Sequence, residues 1–140
     1  MMQRYLGLDV GDCTVGIAAS DLLGLTAQGV ETIRRTTLEQ DAKRLKELMD
    51  EYETYKLVVG LPKNMDGTEG DRCAVVKEFI REMRERIPAI EPVYQDERLS
   101  TVAAERSLLE ADVSRKKRRK VIDKMAAVFI LQGYLDGMKR

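Results

Sequence analysis

Around Tyr5-Leu6-Gly7-Leu8-Asp9-Val10-Gly11, residues 4–10 read as a short strand with little polarity on either face, interrupted near its end by one carboxylate. A strand of that kind belongs in the interior of a layered α/β domain, where both faces are covered. Alternation places Tyr5, Gly7 and Asp9 on one face and Leu6, Leu8 and Val10 on the other. Desolvating a carboxylate is costly, so Asp9 needs a partner. Gly11 and Asp12 turn the chain into a second strand near residues 15–19, and a third extended segment follows near 24–34. Their close spacing predicts antiparallel pairing, because a parallel return needs a crossover of about a dozen residues.

Beyond Thr37 the apolar period changes. Thr37 and Gln40 have capping-box spacing, and Leu38, Ala42, Leu45, Met49 and Tyr52 fall on one helical stripe. Leu57-Val58-Val59 predicts a short buried strand ending at Gly60-Leu61-Pro62. A loop from Asn64 to Gly70 leads to a second helix whose inner face is Val76, Phe79, Ile80, Met83 and Ile87. Residues 90–95 predict another strand, which Pro92 assigns to its start or to a sheet edge. Ser100 is placed to cap a helix through about Glu110, and Asp112 to Lys117 is expected as a loop or frayed junction. The last helix is expected over about 118–136, buried on several sides. The whole pattern is a single α/β domain, residues 1–140, with a mixed five-stranded sheet flanked by helices.

With 140 residues and 44% hydrophobic composition, the chain can bury a core without staples. Lys+Arg and Asp+Glu are both 24, so net charge indicates no partner. Arg115 to Lys120 is nevertheless an unbroken run of six cations. Such runs are usually solvated faces, but this one immediately precedes Asp123 and could hold a polyanionic backbone. Cys13 and Cys73 lack metal-ligand or disulfide-framework spacing and suit a reducing cytosol. No apolar run reaches the roughly 18–20 residues of a membrane span, and the opening lacks the signal-peptide pattern, so a cytoplasmic protein without membrane association is expected.

Three acids stand beside strongly apolar segments: Asp9, Glu97 and Asp123. Each has an ordinary explanation. Asp9 can accept bonds from the following turn, Glu97 can interact with a helix dipole, and Asp123 can pair with Arg119 or Lys120. Alternation sends Asp96 and Glu97 to opposite faces, so only one of them is expected to meet Asp9 directly. Taken together, three carboxylates near one another would repel unless a cation joined them. The chain contains no histidine, which leaves oxygen ligation of Mg²⁺ or Mn²⁺ and metal-assisted phosphodiester hydrolysis as the matching chemistry. Asn64 and Thr68, in the glycine-flanked loop, can donate hydrogen bonds to a phosphate or base; the alternative reading of that loop is a strand-to-helix connection in which Thr68 or Asp66 caps the next helix. Arg98, Lys117, Arg118 and Arg119 are candidates to position substrate phosphates.

Several motifs together carry a resemblance: Leu6-Gly7-Leu8-Asp9-Val10-Gly11, Gly16-Ile17-Ala18 with Ser20-Asp21, and Gly60-Leu61-Pro62 with Asn64-Met65-Asp66-Gly67-Thr68-Glu69-Gly70. Asp96-Glu97-Arg98-Leu99-Ser100-Thr101 and Ile122-Asp123-Lys124-Met125-Ala126-Ala127 extend it over nearly the whole chain. The sequence resembles the YqgF family, also called RuvX, of the RNase H-like superfamily. The resemblance implies an RNase H-like fold, a metal-dependent nuclease acting in 5′-end maturation of pre-16S rRNA, and Asp9, Glu97 and Asp123 as catalytic metal ligands. It implies a nucleic-acid partner, RNA ahead of DNA, within a pre-ribosomal particle; the sequence leaves monomer and homodimer both open. A Holliday junction resolvase-like DNA nuclease and a non-catalytic nucleic-acid-binding ribosome-assembly factor are the alternatives. An actin-like sugar-kinase relative is a more distant one, for which the chain is short. One departure stands out: the family commonly carries an arginine after the first Asp-x-Gly, where this chain has Thr14.

Overall fold

The computed structural model describes residues 3–97 and 115–138, with side chains described for 3–97 and 124–138. The opening segment forms β1 (Leu6–Val10), followed by β2 (Thr14–Ser20) and β3 (Ala27–Arg34). Then come α1 (Leu38–Glu51), β4 (Lys56–Leu61), α2 (Asp71–Arg86), β5 (Glu91–Asp96) and α3 (Arg115–Met138). The five strands make one sheet in the order β3-β2-β1-β4-β5. β1, β2 and β3 pair antiparallel, while β4 lies parallel to both β1 and β5. The sheet is therefore mixed, as the pattern predicts.

Strand alternation sorts the core. Leu6, Leu8 and Val10 join Leu57 and Val59 under α1 and α2, which contribute Ala42, Leu45, Leu48, Met49, Val76, Phe79, Ile80 and Met83. Each large aliphatic side chain removed from water there contributes about 1.5–3 kcal/mol before entropy is counted. Tyr5 and Val58 point the other way and meet Ala127, Ile130, Leu131 and Leu135 of α3. α3 runs antiparallel to β1. The Tyr134 ring sits edge-on to Tyr5 at 5.4 Å, and one step along β1 Gly7 lies beneath Leu131 and the Ala127 carbonyl.

Local details explain the boundaries. Thr37 Oγ1 accepts a hydrogen bond from the Gln40 amide at 3.2 Å and caps α1. β3 begins at Ala27, later than expected, because Asp21 Oδ1 accepts from the amides of Leu25 and Thr26 and Gly24 has φ +69°. That turn holds residues 21–26 out of the ladder. β5 is an edge strand, so Pro92 removes no shared ladder bond on its outer side. α3 starts at Arg115, three residues before the expected start, since Arg and Lys are good helix formers and nothing in 115–117 breaks a helix. Its buried positions form one face, with Val128 and Phe129 only half-buried, because α3 packs on one side of the sheet. The expected Ser100 helix lies outside the described residues.

Gly7 sets the separation of α3 from the sheet. A β-carbon there would fall 2.7 Å from Leu131 Cβ and 3.0 Å from the Ala127 carbonyl oxygen, neither of which can swing aside. Gly7→Ala should therefore cost about 1–3 kcal/mol through overpacking, measured by urea denaturation. A variant as stable as the parent would show that α3 shifts freely over β1.

Candidate active site

Asp9 and Glu97 meet at the C-terminal edge of the parallel half of the sheet. Asp9 is the fourth residue of β1 and is half-buried. The Glu97 amide extends the β5 ladder by donating to the Leu61 carbonyl at 3.3 Å. Tyr94 packs toward the α1–α2 side and Gln95 toward Gly133 of α3. Alternation then carries Glu97 to the α3 side, the side Asp9 shares with Gly7. The structure thus selects Glu97 rather than Asp96 as the residue that bonds to Asp9.

Gly60 makes room for this acid. Its missing β-carbon would lie 2.5 Å from Glu97 Oε2 and 2.4 Å from Ile130 Cδ1. Glu97 is consequently only 9% exposed. Its Oε2 is buried with no hydrogen-bond partner among the described residues. Desolvation first, and then the charge and hydrogen bond of Asp9, push the Glu97 carboxyl up to about 8, with Asp96 adding to the rise and Arg72 opposing it. A buried acid beside another acid, with one oxygen unpartnered among the described residues, is a donor set that fits a cation. Oxygen donors of this kind suit Mg²⁺ or Mn²⁺.

Among the described residues no group of three potential metal ligands is present. Asp123 belongs to α3, one helical turn before Ala127, but its side chain lies outside the described set. Lys117, Arg118 and Arg119 stand in the first turns of α3 under the same limit, and Arg98 lies outside the described residues. Asn64 and Thr68 are described, and they close their own loop. Asn64 Nδ2 donates to Thr68 Oγ1 at 3.0 Å, and the Thr68 hydroxyl donates to Asp66 Oδ1 at 2.6 Å. The Asp66 carboxylate also accepts the Thr68 amide at 2.9 Å, so neither residue caps α2, whose N-cap is Gly70.

Two arginines at this edge carry no motif signal. Arg35 donates from Nη1 to the Gly11 carbonyl at 2.8 Å, and its guanidinium lies 4.5 Å from the Phe79 ring centre. It ties the β1–β2 turn to the helical layer. Arg72, second in α2, bonds through Nη1 to Asp12 Oδ1 at 2.7 Å. Only the tertiary fold brings these residues to the turn, although the α2 start had to lie near the β4 end. Thr14 opens β2 opposite Arg34, and the Gly11 amide donates to its carbonyl at 2.8 Å.

The raised Glu97 value has a consequence for the metal-free protein. Between its ordinary value near 4.5 and about 8, the native state holds a proton that the unfolded chain releases. This group's stabilisation is thus fully present below about 4.5 and is lost as pH rises through about 8. Asp9, Asp96 and Arg72 are the charges acting on it. Urea unfolding of the metal-free protein should show stability declining across that window, and Glu97→Gln should flatten the decline. Identical pH slopes in the two proteins would contradict the assignment.

The family described as "RuvX: Holliday junction resolvase" matches residues 3–137. A protein of Desulforamulus reducens is 57% identical over 133 residues, covering 95% of this chain and 96% of its own length. One of Clostridioides difficile is 59% identical over 133 residues, covering 95% and 94%. Both bear the name "Putative pre-16S rRNA nuclease". The solved structure of Thermus thermophilus RuvC superposes with a TM-score of 0.55 at 9% identity, covering 98% of this chain and 97% of that one. At that identity the likeness concerns the fold, which is RNase H-like. The chain belongs to the RuvX family.

Proposed function

We propose that this protein is a metal-dependent nuclease that hydrolyses phosphodiester bonds in 5′-end processing of pre-16S rRNA. The observation that carries the proposal is the pairing of half-buried Asp9 with buried Glu97, whose Oε2 has no hydrogen-bond partner among the described residues. The names of the relatives, at more than half identity over nearly full length, supply the substrate.

Asp123 is the third acid of the proposed site. Tyr134 meets Tyr5, and Leu131 with Ala127 meets Gly7. Two further strand residues advance about 6.6 Å, a distance a helix covers in about four residues. Continuing the same run supports a position for Asp123 on the turn of α3 level with Asp9. Asp9, Glu97 and Asp123 would hold one or two Mg²⁺ or Mn²⁺ ions, which when bound activate water and stabilise the leaving oxygen. The chain's own contribution is positional. Gly60 and Ile130 hold the Glu97 carboxylate against Asp9, and the β1–β4–β5 backbone fixes the separation of their origins. Arg98, Lys117, Arg118 and Arg119 position the substrate's phosphates, with Asn64 and Thr68 at the rim. The protein works in the cytoplasm on a pre-ribosomal particle, as a single domain of residues 1–140, either as a monomer or as a homodimer. No helix among the described residues is long and apolar enough to cross a membrane.

The test is a Mn²⁺-dependent cleavage panel of pre-16S rRNA fragments, single-stranded DNA and four-way DNA junctions. Asp9→Asn, Glu97→Gln and Asp123→Asn should each lower cleavage of the RNA by at least about a hundredfold, because a lost charged ligand is worth several kcal/mol. Equal cleavage by the parent and D9N, with contaminating nuclease excluded, would defeat the mechanism. Preferred cleavage of the junction would reassign the substrate. Binding has its own readout: Mn²⁺ should raise the melting temperature of the parent but not of E97Q.

A further inference from the structure

We propose that Arg72 binds a phosphate of the substrate, and that Asp12 holds its guanidinium in place until the phosphodiester displaces the carboxylate. The proposal rests on the nuclease reading and concerns how a polyanion approaches an acidic site.

Asp9, Asp12, Asp96 and Glu97 all lie at one edge of the sheet, and the negative charge shared among them opposes an incoming phosphate even with the Asp9–Glu97 pair holding one proton. A cation that can leave its partner would relieve that repulsion. Arg35 cannot do so readily, because it is bonded to the Gly11 carbonyl and stacked over Phe79. Lys63, after β4, acts on Glu69. Thr14 brings no charge. Arg72 differs from all of these. Its described partner is Asp12, and the pair is open to solvent, with side chains 47% and 73% exposed. Exposed pairs of this kind contribute little to stability and exchange easily. A phosphodiester offers the guanidinium fork two oxygens in matching geometry. The charge of Arg72 already acts on Glu97, which sets it within electrostatic reach of the acid pair.

The exchange gives Asp12 a distinct role. It neutralises Arg72 and fixes its direction in the free protein, and it competes with substrate. Arg72 and Asp12 should therefore affect affinity in opposite directions, whereas two halves of a structural strap would affect it alike.

The experiment measures binding of a fluorescent single-stranded RNA by anisotropy at several salt concentrations, in the cleavage-deficient D9N protein. Adding R72A should weaken binding about tenfold and reduce the log–log salt slope by about 0.7, the loss of one phosphate contact on a single strand. R72K should restore the slope but only part of the affinity, because an ammonium lacks the fork. D12N should tighten binding severalfold. Unchanged affinity and slope in R72A, equal weakening by D12N and R72A, or no RNA binding by D9N at all would each overturn the proposal. Failure of the nuclease reading appears separately, as absence of precursor cleavage by the parent protein with Arg72 intact.

Discussion

The close approach of α3 to the sheet at Gly7 and Gly60 governs the rest of the molecule. Neither position tolerates a β-carbon without displacing α3 or the Glu97 carboxyl. Because the helix lies this low, Ile130 and Leu131 are fully buried against the sheet. Glu97 then enters an apolar setting beside Asp9, where its charge is poorly solvated. The packing constraint and the unusual acid have one cause. A helix held farther away would leave Glu97 an ordinary solvated carboxylate with no call on a cation.

Much of this was legible in the chain itself, for reasons that can be named. The apolar run around Asp9 marked a strand covered on both faces, and alternation separated Leu6, Leu8 and Val10 from Tyr5, Gly7 and Asp9 as the two core clusters do. The same alternation limited the Asp96–Glu97 pair to one partner for Asp9. Parity is a local property, so it survives without tertiary information. The helical stripes of α1 and α2 were legible for the same reason.

Other features depend on contacts that no local pattern encodes. Asn64 and Thr68 were legible as donors, but their bonding to each other and to Asp66 follows from how the loop closes. Arg72 and Asp12 are 60 positions apart and meet only because α2 begins above the β1–β2 turn. The early start of α3 reflects helix propensity outweighing the crowding of six cations. The burial of Glu97 required knowing that a glycine of β4 lies under it.

The parallel half of the sheet also has a consequence for when the protein can act. β1 is made first, but its β4 neighbour is separated from it by the β2–β3 hairpin and α1, and β5 follows only after α2. Glu97 has no dry pocket until β4 supplies Gly60 and α3 descends with Ile130. A partly synthesised or truncated chain therefore carries Asp9 in a nearly complete hairpin yet has no assembled acid pair. The acid pair therefore exists only where β1, β4, β5 and α3, drawn from both ends of the chain, are packed together.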